Sequence, residues 1–214
     1  MESIITILSI LGALLIGAIS PGPSFVLVAR TSIAVSRRDG LAAALGMGVG
    51  GTLYGGLALL GLHAVLAQIG GLYFGLKLAG GLYLIYLAIG LWRGAADPIV
   101  VPQTAGQHAI GPGKSFSFAL VTQLSNPKTA VVYGSIFAAL LPAQPPVWIF
   151  AALPPLILLV ETGWYAVVAL AFSSGRPRAA YLRSKTWIDR IAASVMGILG
   201  LRLIIETERA GDRF

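Results

Sequence analysis

The sequence predicts an all-α membrane protein: six transmembrane helices, arranged as an inverted repeat of two three-helix halves with broken first and fourth helices. Four observations predict it. Of 214 residues, 57% are hydrophobic and 11% charged. Apolar runs near 20 residues, roughly the length that crosses a bilayer, recur along the chain. Lys and Arg are confined largely to alternate connections, and two apolar runs are interrupted by proline half a chain apart. A soluble domain of this size needs a charged surface that such a composition lacks.

The first segment, 4–35, is uncharged from Ser3 to Ala29 and contains Ser20-Pro21-Gly22-Pro23. Proline has no N–H and clashes with the preceding turn, so the helix breaks there and frees backbone polar groups. Glu2 stands where a signal peptide would carry basic residues. Pro21 follows the only small-residue cleavage candidate, Ala18-Ile19-Ser20, so a retained first helix is expected. The second segment, 41–62, holds Gly46-Met47-Gly48-Val49-Gly50-Gly51, a literal G-x-G-x-x-G. No strand precedes it and no acidic residue follows at about 20 positions, so dinucleotide binding is not supported. The pairs Gly46/Gly50 and Gly51/Gly55 read instead as close helix packing, within one chain or between copies in a homo-oligomer. Gly71/Gly75 repeats the theme in the third segment, 71–92, where Lys77 is near enough to an interface to snorkel.

The fourth segment, 116–141, contains Ser125-Asn126-Pro127-Lys128, and Pro127 lies 106 positions after Pro21. Lys128 sits about 12 residues, or about 18 Å at helical rise, into this segment, near the midplane. Gln123 and Asn126 flank the break. Glu161, in the fifth segment (147–173), precedes Trp164-Tyr165 and is the only acidic residue deep in any of the six segments. Ionisable groups at such depth are costly and mark function by default, and the evident partner of Glu161 is Lys128. A purely structural ion pair is the competing reading. The sixth segment is 188–205, with Arg202 and Glu206 at its end. The linker 93–115 is too short and too rich in Pro, Gly, Gln and Thr for a fold of its own. The chain is therefore expected to be a single transmembrane domain with repeat halves 1–92 and 116–205.

Basic residues occupy the connections 36–40, 93–115 and 174–187, and none falls in 63–70 or 142–146. The positive-inside rule places the three basic connections in the cytoplasm and both termini outside. The net charge of +7 thus reports topology, and no continuous basic face suggests nucleic acid. Cys is absent, and the two His are remote from one another, leaving no disulfide, thiol chemistry, metal site or cofactor to expect. An enzyme would need a deep base beside Ser20, Ser24 or Ser125, and no His accompanies them.

Three helices per half require the second half to start on the opposite side, so the repeat is inverted in topology. Broken helices at corresponding positions of two halves are the best sequence pointer to a carrier's binding site. The expected site residues are Ser20, Pro21, Gly22, Pro23, Gln123, Asn126, Pro127, Lys128 and Glu161, with Lys77 in a lesser place. Unwound backbone would offer carbonyls to a cation, and helix N-termini would attract an anion.

With these residues in order, the chain resembles the LysE/RhtB family of amino-acid exporters over essentially its full length. The likeness rests on Ser20-Pro21-Gly22-Pro23, the Gly-rich run from Gly40 to Gly56, Lys77 with Gly80-Gly81 and Tyr83-Leu84, Asn126-Pro127-Lys128, and Glu161 before Trp164-Tyr165. The resemblance implies export of small amino acids or analogues by proton antiport, in a multi-pass protein of a bacterial inner membrane. Its partners would be the amino acid, the proton and the lipid bilayer. A metal-ion exporter of related fold is the alternative, short of ligands here, and an assembly protein is a further one.

Overall fold

A computed structural model describes residues 2–68, 70–97, 111–142 and 145–211. It comprises α1 (Glu2–Ile19), α2 (Pro23–Ala34), α3 (Arg37–Gln68), α4 (Gly70–Gly94), α5 (Pro112–Leu124), α6 (Pro127–Leu140), α7 (Val147–Phe172) and α8 (Gly175–Gly211). No strand occurs among the described residues. The prolines act where they stand. Pro23 and Pro127 each occupy the first turn of a new helix, where a missing N–H costs nothing. The first apolar segment thus becomes α1 and α2, bent by 60°, and the fourth becomes α5 and α6. Pro154 and Pro155, by contrast, lie inside a continuous α7.

α3 over Arg37–Gly61 and α7 over Val147–Phe172 are each long and apolar enough to cross a membrane, and α1 with α2 qualifies as a third, bent span. Leu78–Gly94 is a shorter apolar helix. The outer surface suits lipid: Leu57, Phe118, Leu159 and Ile198 are each more than 60% exposed.

The connection expected at 174–187 is helical from Gly175 onward, so α8 begins well before the apolar part of its sequence. The reason is tertiary. Lys185 Nζ donates to the carbonyls of Gly94 (2.9 Å) and Ala95 (3.1 Å) and pairs with Asp189 at 2.8 Å, clamping the end of α4 to this turn. α3 likewise begins at Arg37, where Asp39 N–H donates to Ser36 Oγ at 3.1 Å, and Ser115 Oγ on α5 donates to Asp39 Oδ1 at 2.8 Å.

α3 runs against both α5 and α7, and α4 lies along α8. Glycine permits these approaches. A Cβ on Gly50 would sit 2.7 Å from Gln123 Cγ on α5, and one on Gly55 would sit 2.5 Å from Ile157 Cδ1 on α7. Gly46/Gly50 and Gly51/Gly55 therefore serve contacts within the chain. A Cβ on Gly75 would meet nothing within 4 Å among the described residues, so Gly75 makes no such close contact within the chain. The α4–α8 crossing uses Gly81 and Gly200 instead, where a Cβ on Gly200 would lie 2.7 Å from the Gly81 carbonyl oxygen.

Two apolar clusters flank the middle of the bundle. One gathers Ile10, Leu14, Ile136, Phe137, Leu153 and Ile157. The other gathers Phe25, Val28, Met47, Val168 and Phe172 toward the end bearing Arg37 and Lys185. On α7, Ile157 belongs to the first and Tyr165 to the second, and Glu161 lies between them.

Candidate functional site

The two helix breaks meet between these clusters. Ser24 Oγ, in the first turn of α2, donates to Gln123 Oε1 at 2.5 Å and accepts from Asn126 Nδ2 at 3.1 Å. Asn126 also caps α6, its Oδ1 accepting from the Lys128 backbone N–H at 3.0 Å. Lys128 Nζ donates to Ser20 Oγ at 3.3 Å and lies 3.4 Å from where a Gly22 Cβ would be. Gly22 thus lies beside the Lys128 ammonium, where a Cβ would make only ordinary contact. Its backbone is extended (φ −152°, ψ −172°), so the position is unstrained.

Glu161 is buried, and its Oε1 accepts from the Tyr133 hydroxyl at 3.0 Å. Among the described residues its buried Oε2 has no hydrogen-bond partner. Glu161 and Lys128 line one cavity of about 40 Å³ together with Ser20, Gly22, Gln123 and Asn126. The expected ion pair is not formed: Lys128 turns to Ser20 and Glu161 to Tyr133. Tyr133 extends from α6 one turn beyond Lys128, and Gly51 on α3 makes room for it, since a Cβ there would sit 2.6 Å from its hydroxyl oxygen.

Three of the freed carbonyls accept from aromatic side chains. Trp164 Nε1–H donates to Ala18 O at 3.0 Å, and the Tyr181 hydroxyl donates to Ile19 O at 3.3 Å. At the second break, Tyr54 donates to Leu124 O at 2.5 Å. At each of these three carbonyls an aromatic donor takes one of the two lone pairs. Tyr181 stacks on Phe25 with ring centroids 5.0 Å apart. Burial, reinforced by the charge of Asp189, pushes its hydroxyl well above the usual range, so it stays a donor.

The remaining candidates fall elsewhere. Pro21 lines a larger cavity beside α4 and α8, and Pro23 lines a groove between α2 and α5. Pro127 starts α6 and is exposed. Lys77 belongs to α4, but its side chain lies outside the described residues, as does His108 entirely. Among the described residues, no three His, Cys, Asp or Glu side chains come together. Sequence reasoning missed Ser24, Tyr133 and Tyr165, all of which line the small cavity. Tyr165 carried a signal, standing four residues after Glu161 on the same helical face. Tyr133, beyond the break, carried none without the fold.

A site at facing breaks of two half-helices, with one free carboxylate oxygen, suits a small zwitterion. Comparison with known proteins agrees with that class of chain. A family model described as LysE type translocator matches residues 15–207. The chain belongs to the LysE family. It is 32% identical to the threonine efflux protein of Escherichia coli (strain K12) over 192 residues, covering 89% of this chain and 93% of that one. It is also 32% identical to the uncharacterized membrane protein YahN of the same organism, over 91% of this chain and 87% of YahN. The homoserine/homoserine lactone efflux protein of Salmonella typhimurium is 33% identical over 140 residues, 60% of this chain and 61% of that LysE-family relative. No solved structure matches the chain. The family read from the order of its short motifs is thus the family to which it belongs.

Proposed function

We propose that this chain exports small α-amino acids, threonine and homoserine among them, across a bacterial inner membrane in exchange for protons. The observation that carries the reading is the pairing of charges in one buried site. On one wall stand the Lys128 ammonium and the N-terminal turn of α2, and on the other stands Glu161 with an unpartnered oxygen. A substrate carboxylate is drawn to the first wall, where a helix N-terminus contributes about 0.3–1 kcal/mol. A charge-assisted hydrogen bond adds about 1.5–3 kcal/mol. The substrate ammonium, or a proton in its absence, satisfies Glu161 Oε2, and mutually exclusive occupancy of one carboxylate is what antiport requires.

The names of the relatives support the cargo, since two of them are threonine and homoserine efflux proteins. On this reading the chain forms six spans in two inverted halves, and alternating access is the motion of one half against the other. In that scheme α3 is the counterpart of α7 and α4 of α8, and those are the pairs that lie most extensively against each other. The basic residues at one end, Arg38, Lys114 and Lys185 among them, support a cytoplasmic placement of that end and external termini. The cavity of about 40 Å³ holds roughly one to three waters but no amino acid. Loading in this scheme therefore needs one half to move against the other.

Everted membrane vesicles test the reading. Vesicles containing the protein should accumulate labelled L-threonine or L-homoserine when their lumen is acid, and an uncoupler should abolish the uptake. Absence of uptake for every amino acid in a full panel, with the protein demonstrably in the membrane, would overturn it.

A further inference from the structure

The second cavity, beside Pro21, holds about 440 Å³ and lies between the start of α2, the end of α4 and α8. Its lining includes Gly22 and Lys128, which also line the small cavity, so Lys128 stands in the wall between the two. The opposite side carries Asp189, only 2% exposed, whose buried Oδ1 has no hydrogen-bond partner among the described residues. The neighbouring cation does not answer that oxygen. Lys185 has three N–H donors, and they go to Gly94 O, Ala95 O and Asp189 Oδ2. Asp189 therefore offers one unpaired carboxylate oxygen, and Lys128 is close enough to be felt electrostatically by it. Asp97 stands at the exposed rim.

We propose that this cavity is a loading subsite for an α-amino acid zwitterion, with the ammonium on Asp189 Oδ1 and the carboxylate on Lys128 and the Gly22 turn. The inference rests on the exporter reading and adds a place where cargo waits before the small cavity opens. Size sets the order of events. In this conformation the inner cavity, at about 40 Å³, excludes an amino acid that the outer one, at about 440 Å³, accommodates. The outer cavity adjoins Gly94 and Lys185, at the end bearing the basic connections. Lys128 then needs only a change of side-chain direction to pass the carboxylate inward, and the ammonium changes partner from Asp189 to Glu161.

The absence of Cys makes the test direct, because Gly90→Cys introduces the single thiol of the protein. Gly90 lines the cavity, and a Cβ there meets nothing within 4 Å. Purified full-length protein carrying Gly90→Cys is labelled with a maleimide in detergent, with increasing L-threonine, L-homoserine or L-lysine in separate arms. Vesicle uptake of the same amino acids is measured in parallel. At least one amino acid should slow labelling several-fold, and Asp189→Asn should raise its half-protecting concentration at least tenfold. Asp189→Glu should restore protection to within about threefold of the parent. Lys185→Met, which breaks the same ion pair but keeps the carboxylate and frees its second oxygen, should not raise it. Transport without protection, or protection that survives Asp189→Asn, overturns the subsite while leaving the exporter reading standing. Equal loss in Asp189→Asn and Lys185→Met assigns Asp189 to clamping α4 and overturns it too. Protection without transport fails the exporter reading alone, and neither protection nor transport fails both.

Discussion

Glu161 has less than a buried carboxylate needs. Removing such a group from water costs several kcal/mol, and a hydrogen bond to a charged group returns about 1.5–3 kcal/mol. Among the described residues Tyr133 supplies one such bond, and Oε2 has none. The shortfall is a stability cost that ligand or proton relieves, which separates a functional carboxylate from a structural one by sign. Glu161→Gln should cut threonine uptake into everted vesicles by about 100-fold or more, yet raise the thermal midpoint of the purified protein. A gain of about 1 kcal/mol corresponds to roughly 2–4 °C for a chain of this size. Tyr133→Phe should do the reverse to stability, lowering it by about 1–3 kcal/mol through the second unsatisfied oxygen. In the Glu161→Gln background that cost should shrink by at least half, since the two residues are coupled. A Glu161→Gln protein that is less stable, or that transports normally, would make the carboxylate structural.

At the scale of elements, glycine decides how near the helices come, and each glycine has its own neighbour. On Gly51 a Cβ would meet the Tyr133 hydroxyl and lie 3.1 Å from Glu161 Cγ, so Gly51→Ala presses on the site itself. On Gly200 a Cβ would meet the backbone oxygen of Gly81, which cannot turn aside. Gly56 and Gly75 face open space. Gly51→Ala should therefore lower uptake about tenfold. Gly200→Ala should destabilise by about 1–3 kcal/mol, as overpacking does, measured by unfolding in mixed detergent. Gly56→Ala and Gly75→Ala should be neutral or slightly stabilising, since alanine is the better helix former. Equal effects at Gly56 and Gly51 would sink the close-packing account. The same contrast shows what was legible in the sequence. The breaks at Pro21–Pro23 and Pro127 were, because proline acts on its own turn. The start of α8 was not, because Lys185 is held by carbonyls of α4 some 90 residues away. The approach of Lys128 and Glu161 was legible as depth in two helices. Their separate partners were not, since Ser20 and Tyr133 enter only when the helices are placed side by side.

At the scale of the molecule, the proposed exporter needs its halves to be inverted, and α3 and α7, counterparts under that reading, give the sharpest test because each is long and apolar enough to cross a membrane. Under the inverted reading, the start of α3 and the end of α7 share the side of the basic connections. The far part of α3 and the start of α7 share the other side. Arg38 and Ser174 are exposed at the first pair of positions, and Gly61 and Val147 are exposed at the second, Val147 at 85%. The chain contains no Cys, so each position can carry a unique thiol without further change. A membrane-impermeant maleimide should label Gly61→Cys and Val147→Cys in cells with a permeabilised outer membrane. It should reach Arg38→Cys and Ser174→Cys only in everted vesicles. The expectation follows from charge, because moving a Lys- or Arg-rich connection outward opposes the bias that sets orientation during insertion. Reversal of all four results would invert the molecule and turn the cavity lined by Asp189 toward the outside, making it a release site. Labelling of Val147→Cys and Ser174→Cys from the same side would mean that α7 does not cross, and the two breaks would then no longer be reached from opposite faces.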